Sequence, residues 1–351
     1  MNTALVAAVA AAALAWQPAL PGYAFRFPAD YGAHEASRDE WWYYTGNLRD
    51  ASGRRYGFEL TFFRVGVQPR LTGGSPWDID NLYFAHFAAT DAARGAYYHV
   101  DRTGRAVLSE AGATTGDERV WLGRWSARRS TAGKHSLVAR ADDIGLRLQL
   151  SPRKPAVVNG RNGVSLKGAC RGCASHYYSF TDLAASGTLS LPSGNVTVTG
   201  SAWNDHEWGS AALEPGVVGW DWFSLQLDGS REIMLYILRR ADGSAIPQSS
   251  GTLVDAFGRA VYLPLTKFSV APLGAWTSPH SQARYPAGWR MLLPAHRAEL
   301  TISPLFADQE FDATHSTGGY YWEGACSVSG TFDGKPVNGH GYTELTGYAP
   351  K

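Results

Sequence analysis

Trp41-Trp42-Tyr43-Tyr44-Thr45-Gly46-Asn47-Leu48, with the residues behind it, decides the fold. Aromatic and β-branched side chains suit a pleated strand, and the following Asp50-Ala51-Ser52-Gly53 is turn chemistry. Tyr56-Gly57-Phe58-Glu59-Leu60-Thr61-Phe62-Phe63-Arg64 then reads as the return strand of a β-hairpin. The unit recurs half a chain later. Trp220-Asp221-Trp222-Phe223-Ser224-Leu225-Gln226-Leu227 is a strand and Asp228-Gly229-Ser230 a turn; residues 232–239, carrying Tyr236, are the return. Trp42 to Asp50 and Trp220 to Asp228 share one spacing, and Arg64 and Arg239 both close their return strands. A hairpin repeated at this distance predicts two related β-barrels with Trp42 and Trp220 in corresponding places, because a solenoid would repeat at roughly 20–50 residues.

Outward from these hairpins the same grammar continues. Short aromatic or β-branched runs fall at 82–90, 96–100, 118–126, 135–141, 144–150, 177–183, 187–191 and 196–201, punctuated by Gly, Asp and Asn. In 144–150, Leu146, Leu148 and Leu150 alternate with Arg147 and Gln149, as a half-buried strand requires. Residues 320–345 supply closing strands. The fold class is therefore all-β: two antiparallel β-barrel domains packed together, 23–200 and 201–351.

The chain has 351 residues, 13% aromatic, 39 of them Gly, with a formal net charge of +1. That balance gives no electrostatic case for nucleic acid or an anionic membrane surface. The opening apolar run, 5–14, has the length of a signal-peptide core and is short for a membrane span; Ala13-Leu14-Ala15 fits its cleavage site. Residues 1–15 are therefore expected to be a signal peptide, and the mature chain an exported protein without a transmembrane segment. Of Cys170, Cys173 and Cys326, export leaves one disulfide and one thiol, with the pairing open.

Chemistry concentrates between Trp203 and Phe223, where Asp205, His206, Glu207 and Asp221 stand among Trp203, Trp208, Trp220 and Trp222. Acids and imidazoles held between dry indole walls have pKa values that burial and neighbours move, which suits proton transfer; the same set also suits a structural polar network. Glu40 and Arg64 are placed for a cross-strand ion pair at the end of the first hairpin, beside Trp42. His86, in Tyr83-Phe84-Ala85-His86-Phe87-Ala88, reads as a hydrogen-bonded core histidine or a ligand contact; Trp322 and Glu323 stand in the same relation to the second barrel. No metal is expected from Asp205-His206-Glu207, since adjacent residues of a strand point apart. H-E-x-x-H and G-x-S-x-G are absent, so no cofactor, metal or hydrolase nucleophile is indicated.

Asp39-Glu40-Trp41-Trp42-Tyr43-Tyr44-Thr45-Gly46, Ala85-His86-Phe87-Ala88, Tyr177-Tyr178-Ser179 and 202–210 occur in an order that resembles the AttH-like proteins. The match continues through 219–223, Tyr321-Trp322-Glu323-Gly324 and Gly341-Tyr342-Thr343-Glu344-Leu345. That family includes carotenoid 1,2-hydratase (hydroxyneurosporene synthase) and many predicted secreted hydrolases. The resemblance implies lipocalin-like (calycin) barrels and a cavity for an apolar small molecule. It also implies hydratase chemistry at His206, Trp208 and Asp221, although Gly219 stands where the hydratase pattern has Tyr. The expected function is acid-catalysed hydration or isomerisation of a terpenoid- or lipid-like alkene. A hydrophobic-ligand carrier is the second reading and an ester or lactone hydrolase the third. The ligand contacts expected are Trp203, Asp205, Glu207, Trp220, Trp222, Glu40, Trp42, Arg64, His86, Tyr236, Trp322 and Glu323.

Overall fold

A computed structural model describes residues 16–68, 77, 79–210 and 213–350; the expected leader, 1–15, lies outside them. The first barrel comprises β1 (Asp39–Arg49), β2 (Arg55–Gly66), β3 (Asn81–Asp91), β4 (Ala96–Arg105), β5 (Ala111–Ala113), β6 (Arg119–Leu122) and β7 (Trp125–Arg129). It continues with β8 (His135–Ala141), β9 (Ile144–Pro152), β10 (Val157–Val158), β11 (Ser165–Leu166), β12 (Ala174–Leu191) and β13 (Gly194–Gly209). The second half starts with β14 (Val217–Leu227), β15 (Arg231–Arg240), β16 (Ser250–Val254), β17 (Ala260–Pro264), β18 (Ser269–Pro272), β19 (Ala275–Thr277) and β20 (Arg284–Pro286). It ends with β21 (Trp289–Leu293), β22 (Ala298–Pro304), β23 (Glu310–Ala313), β24 (Gly319–Phe332) and β25 (Lys335–Leu345).

The two large sheets are antiparallel and curl into nearly closed or half barrels. Their orders are β4-β3-β2-β1-β13-β12-β9-β8-β7-β6-β5 and β17-β16-β15-β14-β25-β24-β22-β21-β18. Laid with β1 on β14, the nine strands of the second order match the first nine of the other, β4 through β7, and β6 and β5 are additional; this is the duplication the repeated hairpin predicts. Its register differs by one residue from the expectation. Arg64 is opposite Glu40 and Arg239 opposite Gly219, so superposing the arginines puts Trp41 on Trp220, Trp42 on Asp221 and Tyr43 on Trp222. The last pairs before the turns are Arg49–Arg55 and Leu227–Arg231; the first turn is longer, and counting back from it misplaces Trp42 by one. A slip of one flips the face: Trp42 points into its barrel while Trp220 points out.

Side chains fill both barrels. Trp42, Tyr44, Phe58, Leu60 and Trp125 belong to the first interior, and Phe223, Leu235, Trp289 and Trp322 to the second. A third buried cluster, with Tyr43, Tyr177, Trp203, Trp222, Tyr236 and Tyr342, lies between the barrels. β1 is therefore buried on both faces, which is why its aromatics do not alternate with polar residues. β13 runs unbroken from Gly194 to Gly209, so the chain leaves the first sheet after Gly209 rather than at 200/201. Cys170 and Cys173 form the disulfide, and Cys326 is a buried thiol in the second barrel.

Candidate active site

The outward faces of the two hairpins enclose a cavity of about 370 Å³ between the barrels. Strand alternation selects its lining. On one side Trp41 and Tyr43 of β1 face it, with Glu207 opposite Trp41, Asp205 opposite Tyr43, and Tyr177 beyond Glu207 on β12. On the other side stand Trp220 and Trp222 of β14, Tyr236 opposite Trp222 on β15, and Glu344 opposite Trp222 on β25. Glu323 pairs with Glu344 as Ser179 pairs with Asp205, which makes Tyr321 the counterpart of Tyr177. Asp205 and Glu344 are thus the same position of the repeated unit, presented from opposite walls.

Both acids are held in their neutral range by burial. Asp205 is pushed up to about 7 by burial, although Tyr177 Oη (2.6 Å), Ser179 Oγ (2.5 Å) and Trp203 Nε1 (2.6 Å) all hydrogen-bond its carboxyl. Glu344 is pushed up to about 7 by burial; among the described residues one side chain hydrogen-bonds it, Trp220 Nε1–H donating to Oε2 at 2.9 Å. Glu59, on the wall from β2, is pushed up to about 8 by burial; Thr61 donates to its Oε1 at 2.8 Å and Glu344 lies within its field. Lys167 reaches Glu207 at 2.8 Å; burial works against its charge, but the charge and hydrogen bond of Glu207, with Tyr236 and Asp205, together raise the pKa of the ammonium.

His206 and Trp208 are brought together, but inside the first barrel. His206 stacks on Trp42 with ring centroids 4.8 Å apart and lies 5.0 Å from Trp208. Its Nε2–H donates to Glu40 Oε1 at 2.9 Å and its Nδ1 accepts from Tyr178 Oη at 3.1 Å, a neutral tautomer that burial favours. Glu40 is a hub: Arg64 Nε (3.0 Å), His34 Nδ1 (2.9 Å) and the His34 backbone N–H (3.1 Å) also donate to it. Burial works against its charge, yet the bonds from His206 and His34 and the charges of His34 and Arg64 hold it well below the usual range. The expected Glu40–Arg64 pair is present. His34, Glu40 and His206 offer three ligand atoms within 4.8 Å of one another, a spacing a divalent ion could use. The carboxylate is already saturated by N–H donors and a guanidinium, so this donor set is a closed hydrogen-bond network.

Asp221 lies on the inward face of the second barrel, away from His206, with Arg239 Nε at 2.6 Å and Tyr348 Oη at 3.1 Å. Burial raises its pKa, with Arg239 opposing. Replacing Asp221 with Asn should therefore strand the Arg239 charge and lower stability by about 3 kcal/mol, the low end for a broken buried pair because both side chains keep about a tenth of their surface. Turnover per folded molecule should stay within a few-fold of wild type, measured beside a urea melt. A hundredfold loss in a folded Asp221→Asn protein would return Asp221 to the reaction.

Of the expected ligand contacts, Asp205, Glu207, Trp220, Trp222, Tyr236, Glu40 and Arg64 line the cavity. Trp42 points into the first barrel and Trp322 packs on Trp289 in the second. Trp203 stands behind Asp205, and Glu323 behind the wall, accepting from Tyr43 Oη at 2.7 Å. His86 is a hydrogen-bonded buried histidine at the barrel–barrel contact, with Tyr321 Oη at 2.8 Å and Ser316 Oγ at 2.9 Å. Sequence reasoning missed Trp41, Tyr43, Glu59, Lys167, Tyr177 and Glu344. A signal for one of them was available: Glu59 is an acid within the largely apolar run Phe58-Glu59-Leu60-Thr61-Phe62-Phe63, though that run does not say which chamber it faces.

A family model described as AttH-like matches residues 18–348. A crystal structure of a candidate AttH from Nitrosomonas europaea is 39% identical, covers 95% of this chain and 100% of its own, and superposes with a TM-score of 0.85. Kievitone hydratase from Nectria haematococca, 17% identical over 92% of each chain, shares the fold with a TM-score of 0.69. No curated protein matches by sequence.

Proposed function

This chain belongs to the AttH-like family, and on that premise we propose that it is an acid-catalysed hydratase acting on an apolar alkene held between its barrels. The observation that carries the reading is Glu344: a carboxyl on the cavity wall, raised to about 7 by burial and anchored at one oxygen by Trp220. A carboxylic acid kept neutral near physiological pH is a usable proton donor to a weak base such as an alkene. The proton of Glu344 passes to one alkene carbon as the π bond opens. The cation left on the other carbon is flanked by the π faces of Trp41, Trp220 and Trp222. Water adds its oxygen there and returns a proton to the Glu344 carboxylate, so that H and OH are gained and the acid is restored. The hydratase named among the structures of like fold fits this reading but carries no residue assignments to it.

The test is turnover of a panel of apolar alkenes in deuterated water, followed by deuterium entry at carbon. The sign of the pH dependence follows from the donor's role. Glu344 must be protonated, so kcat should be level below about pH 7 and fall about tenfold per unit above it. Tight binding of the panel with no deuterium incorporation at any pH would make the protein a carrier instead.

A further inference from the structure

The cavity already holds one ammonium, and the way it does so indicates a second ligand class. Lys167 Nζ lies 4.1 Å above the Tyr236 ring and 5.3 Å from that of Tyr177, with Glu207 at 2.8 Å. Ring faces with a carboxylate at the edge are how proteins hold quaternary ammonium groups. The wall around Trp220 repeats these parts without a lysine. Trp220 and Trp222 supply rings, Glu344 pairs across from Trp222, and Glu59 closes in from the first barrel.

Charge points the same way. Among the described residues six acids line the cavity, Asp39, Glu40, Glu59, Asp205, Glu207 and Glu344, against two cations, Arg64 and Lys167. Arg64 is committed to Glu40 and Lys167 to Glu207, which leaves the Glu344 and Glu59 side without a counter-charge. Behind it, Glu323 Oε2 is fully buried with no hydrogen-bond partner among the described residues. Once ionised, above about pH 7 for Glu344 and about 8 for Glu59, unmatched carboxylates in an aromatic chamber favour entry of a weakly hydrated cation over a neutral molecule of equal shape.

We propose that this cavity binds hydrophobic organic cations, tertiary or quaternary ammonium groups with apolar substituents, against Trp220, Trp222, Glu344 and Glu59. The proposal shares with the hydratase reading only the premise that the cavity admits a ligand; it does not need the reaction.

Two probes of one shape decide it: benzyltrimethylammonium and its neutral isostere neopentylbenzene, titrated into the full chain at pH 8 by tryptophan fluorescence and calorimetry. The cation should bind at least tenfold more tightly. Glu344→Gln and Trp220→Leu, each checked for an unchanged near-ultraviolet circular dichroism spectrum outside the indole band, should each cut that preference by threefold or more. Equal or tighter binding of neopentylbenzene would overturn the proposal and leave the apolar-alkene reading standing. Binding of neither probe would overturn both. A cation preference untouched in both variants would overturn the assignment to this wall.

Discussion

Replacing Glu344 with Gln should lower alkene hydration by about a hundredfold or more, the ordinary scale for losing a general acid. The substitution keeps the shape of the side chain and its bond from Trp220 and removes the transferable proton. Asp205, its counterpart on the facing wall, is the control that makes the result specific. Both carboxyls are raised to about 7 by burial. Among the described residues Asp205 is engaged by Tyr177, Ser179 and Trp203, whereas Glu344 has one such partner, so the proton of Glu344 is the more available. Asp205→Asn should cost less in rate and more in stability, because the amide replaces one of the two acceptor oxygens shared by three buried donors with an N–H₂. Initial rates and thermal melts on the same preparations separate the two. The opposite ranking, with Asp205→Asn the slower enzyme and Glu344→Gln near wild type, would move the donor to the first barrel's wall.

The second large effect is expected at Glu40. Glu40→Gln leaves Arg64, 1% exposed, without its counter-charge and puts an amide N–H₂ among N–H donors. Breaking a buried pair in this way costs about 3–5 kcal/mol, a fall in Tm of roughly 6–20 °C. Glu59→Gln is the contrast: raised to about 8, that carboxyl is already neutral at pH 7, and the substitution should be nearly silent in stability. The two acids also differ in sign with pH. The folded pKa of Glu40 is depressed, so its contribution is present above the unfolded value near 4.5 and lost as the pH falls below it. The folded pKa of Glu59 is raised, so it weakens the fold as the pH rises from 4.5 through about 8. A Glu40→Gln protein with wild-type melting at pH 7 would show that the hub around His34 and His206 does not depend on charge.

Much of the fold was legible because hairpin chemistry is local. Residues 41–64 and 220–239 announce strands and turns by their own composition, and their recurrence announces two barrels. What a sequence states poorly is which face of a doubly buried strand looks where. In β1 both Trp41 and Trp42, and both Tyr43 and Tyr44, are apolar enough for either side. Without a polar face to fix the phase, the spacing rule set Trp42 in correspondence with Trp220, one residue away from the observed match of Trp41 with Trp220. The cavity acids from the 203–223 stretch, Asp205 and Glu207, were legible as a concentration of charge among indoles. Glu344 and Glu59 reach the same chamber only through pairing across strands far apart in sequence, and one strand's pattern carries no record of that.

The repeated wall has a consequence for what the molecule can tell apart. A lone half would carry its aromatic outer face in water, Trp41, Tyr43 and Tyr177 on one, Trp220, Trp222 and Tyr236 on the other. Two identical halves, docked about a twofold axis, would bury those faces and enclose a symmetric chamber, indifferent to which end of a guest enters first. Joining the halves in one polypeptide frees each wall to change alone. Tyr43 faces Trp222, Asp205 answers Glu344, and Lys167 has no second lysine opposite it among the described residues. The chamber thereby acquires a head and a tail, and a guest with unlike ends has one preferred way to lie in it.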